Sequence, residues 1–260
     1  MLTKAFSQDL LQDKIKPIIK QGKMIYQLEM ANWTASKLFA QKYKGKEKAA
    51  GYVSYIESDK VKTVFYFKAD KLKSLAMFTF DESFDEKNTQ VDMISRILTP
   101  AEIELTKLRA SAMKAIDDAS FFVVPADAHL SVIPMVSNGE HKVYVMSESD
   151  KPGVVVFGND YVLNYSNDLS LKSKSALHGN VVMVNYEVGA VNTNDKLSSH
   201  TLVGKDEEMV SPIDIATLFL YKKDTRWRQH SFISEKYIFF WNYETESLNA
   251  IAKKAPPAKD

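Results

Sequence analysis

Four residues in the C-terminal third of this 260-residue chain carry the types of side chain that hold a metal: His178, His200, Asp214 and His230. Cysteine is absent, which removes thiolate ligands, thiol nucleophiles and disulfides. Any metal must therefore be held by imidazole nitrogen and carboxylate oxygen, a donor set that suits zinc or another first-row divalent ion. Ser211 stands three residues before Asp214 in Ser211-Pro212-Ile213-Asp214, which has the form of a helix start with Pro at the first helical position. Asp214 then falls in the first turn, where a carboxylate gains from the helix dipole without any catalytic role. Ser211, His230 and Asp214 could also be read as a Ser-His-Asp set, but Ser211 lacks the glycine pattern of a nucleophile elbow.

The spacing of His200-Thr201-Leu202, a loop, and Ser211-x-x-Asp214 resembles the signature of the JAMM (MPN-type) metalloproteases. There, His-Ser/Thr-His is followed after seven residues by Ser-x-x-Asp. The resemblance implies zinc held by His200 and Asp214, Ser211 as oxyanion support, and peptidase or isopeptidase chemistry. Three departures stand against turnover. Leu202 takes the place of the second histidine, the loop is one residue longer, and no upstream glutamate is identifiable as the general base, Glu187 being too close in sequence. A third ligand would have to be His230 or His178. The departures favour a non-catalytic protein-interaction module with a degenerate JAMM-like site, and a metal-dependent hydrolase is the alternative. Stretches such as GNDYVLNY and SPIDIATLFLY also resemble bacterial proteins of no assigned function.

The elements that must position these residues read as an α+β chain, with antiparallel β-rich sheet layers and a few helices. Leu10, Leu11, Ile15, Ile18 and Ile19 predict an amphipathic helix interrupted or restarted at Pro17, and a second helix is expected over 31–43. Strands at 51–57, 61–68 and 74–80 form a meander whose aromatics suit core packing better than base stacking. A polar stretch, 81–90, leads to a division near residue 97 and an N-terminal α+β region, 1–97. The C-terminal region, 98–251, opens with the clearest helix start in the chain, Thr99-Pro100 with Glu102 placed for a capping box.

Strands are then expected in SFFVV (120–124), HLSVIPMV and HKVYVMS, with a hairpin turn at Ser137-Asn138-Gly139-Glu140. GVVVFG and YVLNY read as a pair joined around Asn159-Asp160, followed by a strand over 180–187 and a loop over 188–199. WRQHSFISEKYIFFW reads as a turn into a strand. Residues 252–260 are expected to be a disordered tail.

With 34 basic and 33 acidic residues the chain has no global field to draw in nucleic acid or an anionic membrane, which favours a protein partner. No apolar run approaches a membrane span or a signal-peptide core. The lack of cysteine fits a reducing cytoplasm, the expected location, while the oligomeric state is left open.

Overall fold

The computed structural model describes residues 2–68, 70, 72–189, 197–202 and 208–253, with side chains from Leu11 onward. The fold is α+β, as the alternation of patterns predicts. A single long helix, α1 (Leu2–Lys42), is followed by a four-stranded antiparallel meander of β1 (Ala49–Glu57), β2 (Lys60–Phe67), β3 (Ser74–Phe80) and β4 (Gln90–Asp92). After α2 (Pro100–Ala115) comes a second antiparallel meander of β5 (Ala128–Ser137), β6 (Glu140–Ser149), β7 (Val154–Tyr165) and β8 (Leu171–Asn185). The third sheet has the order β12-β11-β10-β9, built from β9 (Leu197–Thr201), β10 (Gln229–Ile233), β11 (Tyr237–Asn242) and β12 (Ser247–Ala252). Its β9 runs parallel to β10, and the helices α3 (Pro212–Leu220) and α4 (Lys222–Thr225) form part of that crossover.

Pro17 does not divide α1. A proline inside a helix removes one hydrogen bond and crowds the preceding turn, but tertiary packing holds the helix together on both sides of it. Ile15 sits in the core of the C-terminal sheet, while Ile25, Leu28, Ala35 and Leu38 sit in the core over the first meander. That second core is shared across residue 97: it also contains Ile133, Tyr144, Met146 and Ile213.

α1 crosses α3 at Gly22. A Cβ at this position would lie 2.6 Å from Ile215 Cβ and 2.7 Å from the Pro212 carbonyl oxygen, so the helices meet with no room for a side chain. Glycine costs helix stability on its own; here it permits the backbone of α1 to reach the first turn of α3.

Several local readings of the sequence change. The segment 120–124 is not a strand: Phe121 and Phe122 turn in to pack on Tyr161, leaving Val123 and Val124 exposed. The 137–140 hairpin forms as expected, with positive φ at Asn138 and Gly139. Asn159-Asp160 is not a hairpin turn. β7 runs straight through it as one 12-residue strand, with a bulge between Gly158 and Asp160. The last part of the predicted 188–199 loop is β9, and β12 continues to Ala252, with the Lys253 N–H donating to the Lys236 carbonyl at 2.8 Å. The remainder of the expected tail, 254–260, lies outside the described residues.

One buried polar group was not visible in the sequence. Glu29 of α1 accepts from Asn32 Nδ2 (2.8 Å) and Ser131 Oγ (2.7 Å), and Glu148 of β6 accepts from Trp33 Nε1 (2.9 Å). Burial, reinforced by the Glu148 carboxylate, raises the Glu29 pKa well above the usual carboxylate range. A carboxyl group raised in this way favours the folded state when protonated, so its contribution is complete below the unfolded value of 4.5 and declines as pH rises toward the folded value. Glu29→Gln, which keeps the group neutral, is expected to raise the melting temperature more at about pH 8 than at about pH 5 in calorimetric scans. Gly22→Ala should destabilise by about 1–3 kcal/mol in urea unfolding, because overpacking against Pro212 and Ile215 exceeds the helix-propensity gain of about 1 kcal/mol.

Candidate functional site

The first turn of α3 is fixed by a reciprocal cap. The Asp214 N–H donates to Ser211 Oγ at 3.1 Å, and the Ser211 N–H donates to Asp214 Oδ2 at 2.7 Å. Aspartate thus takes the third-residue role more often filled by glutamate. Ser211 is buried and engaged in capping through both its hydroxyl and its amide.

Asp214 faces His178, which lies mid-way along β8. His178 Nδ1 is 3.2 Å from Asp214 Oδ2, an ion-pair distance whose direction is not that of a hydrogen bond. On its other side, His178 Nε2 is 3.2 Å from the Met209 carbonyl oxygen. The cross-strand partner of His178 is Asp160, carried inward by the β7 bulge. Gly158 (φ +75°) and Asn159 (φ 54°) make that bulge, and a Cβ on Gly158 would lie 2.0 Å from the Asn180 carbonyl oxygen. Asp160, His178 and Asp214 each offer a ligand atom within 4.8 Å of the others, so this buried group could hold a metal ion.

His200 and His230 form a second, adjoining cluster. They face each other across the parallel β9–β10 pair, with His200 Nδ1 2.9 Å from His230 Nε2, and His230 Nδ1 2.6 Å from Ser198 Oγ. Phe157 stacks on both imidazoles, at centroid distances of 4.5 and 4.7 Å, and Trp227 stacks on His230 at 5.3 Å. Of the four residues expected as ligands, the structure thus pairs His178 with Asp214 and His200 with His230. Among the described residues, neither His200 nor His230 joins a set of three ligand atoms; Asp160 does, and the sequence reading missed it. The available signal was an aspartate between two strongly apolar strand segments, masked by Gly-Asn-Asp, a common turn tripeptide.

The two clusters titrate in opposite directions. Burial works against a charged His178, but the neighbouring Asp214 and Asp160 carboxylates outweigh it and raise its pKa to about 10. Burial alone would raise Asp214 as well, yet His178 and the Ser211 amide hold it below the usual range. His200 and His230, enclosed by aromatic rings, are pushed down to about 4 and about 3, chiefly by burial. They are neutral at physiological pH, and a base so weak gains little as a general base there.

No family model, curated protein or solved structure matches this chain. No helix among the described residues is long and apolar enough to cross a membrane.

The pH dependence of stability follows from these directions. His200 and His230 have folded pKa values below the unfolded value of 6.5, so their contribution is complete above pH 6.5 and is lost as pH falls toward 4 and then 3. His178 acts in the opposite sense: its contribution is complete below 6.5 and is lost as pH rises through about 10. Urea unfolding as a function of pH should show acid lability that His230→Gln reduces. Ser211→Ala should cost about 1 kcal/mol as a lost helix cap.

Proposed function

We propose that this chain is a non-catalytic α+β module that acts by binding another protein, with a JAMM-like sequence register whose site no longer supports turnover. The observation that carries this reading is the environment of Leu202. At the position where the resembled family has its second histidine, Leu202 is 6% exposed and packed with Val155, Phe157 and Phe232 in the core of the C-terminal half. The polar groups around it are equally enclosed, Asp214 and His230 at 0%, Asp160 and His178 at 2% and His200 at 7% exposure. A catalytic zinc needs an open coordination position that a substrate carbonyl can reach. Here the same region is shut.

The partner reading rests on the surface. Leu72, Ile94 and Ile97 are each more than half exposed, and Ile97 bridges to Lys73 next to Leu72. Apolar side chains in this setting suit a protein partner, and a net charge of +1 offers no general attraction to nucleic acid. The hydrolase alternative would use His200, Asp214 and His178 or His230 with zinc or another first-row divalent ion. The His178–Asp214 contact is a geometric support for it.

Purified protein supplied with excess zinc is expected to hydrolyse neither peptide nor isopeptide-linked substrates above the rate of a His200→Ala, Asp214→Asn double variant. Turnover abolished in that variant would overturn the non-catalytic reading.

A further inference from the structure

We infer that Asp160, His178 and Asp214 form a closed binding site for a divalent cation of the zinc type, which ties the β7–β8 hairpin to the start of α3. This goes beyond the proposed function and does not depend on it. The ligand set also differs from the one that the JAMM-like register implies, since it contains neither His200 nor His230.

The orientation of His178 fixes its tautomer. Its Nε2 faces the Met209 carbonyl, which can only accept a hydrogen bond, so Nε2 carries the proton. A metal that displaces the Nδ1 proton of the charged ring would then find a lone pair there, beside Asp214. A histidine oriented by Nε2–H donation to a backbone carbonyl is the usual outer-shell arrangement of a metal ligand.

Asp214 is fully buried, and its Oδ1 has no hydrogen-bond partner; His178 Nδ1, on a residue 2% exposed, has none either. Buried polar atoms without partners are costly and rare in folded proteins. Among the described residues, the ion-pair partner of Asp214 is His178, with no lysine or arginine beside it. A cation at this point would satisfy Oδ1 and Nδ1 together.

Asp160 points inward because β7 carries a bulge with two consecutive left-handed residues, and Gly158 permits it by tolerating the Asn180 carbonyl at a distance no Cβ could. Bulges re-aim side chains and are common next to functional sites. One imidazole nitrogen and two carboxylate oxygens suit zinc or a similar first-row ion better than calcium or magnesium, which take oxygen ligands. Ligand atoms already within 4.8 Å need a closure of roughly 1 Å to share one ion at the usual bond lengths of about 2 Å.

The test uses the full chain, stripped with chelator and dialysed against zinc or cobalt(II) alone. The expected result is one metal per chain, a melting temperature several degrees higher with zinc than with chelator, and a cobalt(II) visible spectrum of low-symmetry nitrogen and oxygen coordination. Asp160→Asn and His178→Gln should each weaken binding at least tenfold, whereas His230→Gln should retain it. If a variant does not fold, imidazole 15N shifts of the unaltered protein decide the matter: His178 Nδ1 should respond to zinc while Nε2 stays protonated. Absence of stoichiometric metal with a chelator-insensitive melt would overturn the proposal. Binding that survives in Asp160→Asn and His178→Gln but is lost in His230→Gln would also overturn it. Neither outcome bears on the hydrolysis assay, so failure here is distinguishable from failure of the non-catalytic reading.

Discussion

The approach of α1 to α3 at Gly22 is the constraint on which the rest of the structure depends. α3 is a nine-residue helix whose residues from Ile213 to Leu220 are all buried, so it cannot be stabilised by solvent on any face. It is held by contacts with α1 on one side and the C-terminal sheet on the other. Only because Gly22 has no side chain does α1 come close enough to cover the Pro212 carbonyl and Ile215. That contact fixes the first turn of α3, and through the Ser211–Asp214 cap it fixes the carboxylate that His178 meets. The polar centre is thus positioned by apolar packing at the far side of the same helix.

The same interior treats its histidines in opposite ways, and the reason is local. His178 contacts a carboxylate directly; His200 and His230 contact each other and aromatic faces. Desolvation favours the neutral ring in every case, and only a carboxylate at ion-pair distance reverses it. The His200–His230–Ser198 chain is therefore best understood as a neutral hydrogen-bonded ladder across the parallel strands, with Asp214 acting on it only through space. Its polar groups are satisfied pairwise, as buried networks must be if they are not to weaken the fold.

Local chemistry was legible in the sequence wherever it was decided by a few adjacent residues. The Thr99–Glu102 capping box and the Ser211 N-cap follow from residue type and spacing and appear as expected, and Asp214 closes the second cap into a box as well. The reading failed where distant packing overrode local preference. Pro17 ought to interrupt a helix, but cores on both sides of it carry α1 through. Gly158-Asn159-Asp160 has turn composition, yet β8 supplies a partner for the whole length of β7, so the same backbone preferences are spent on a bulge. Asp160 was missed for this reason: its role depends on a strand pairing that no short-range signal encodes. Glu29 and Glu148 were missed likewise, being separated by more than a hundred residues and joined only by the packing of α1 on the sheets.

The length of α1 has a consequence for how the chain is made. The helix precedes in sequence the elements that cover its apolar faces, whose residues lie as far on as Ile213 and Trp241. Until those are synthesised, much of the helix has only the first meander to rest on, and the surface meant for α3 stays open to solvent. Contacts of such long sequence separation slow folding and prolong the exposure of apolar segments. The nascent chain therefore has a long interval in which the apolar faces of α1 need shielding, and their docking is completed only by residues of α3 and β11.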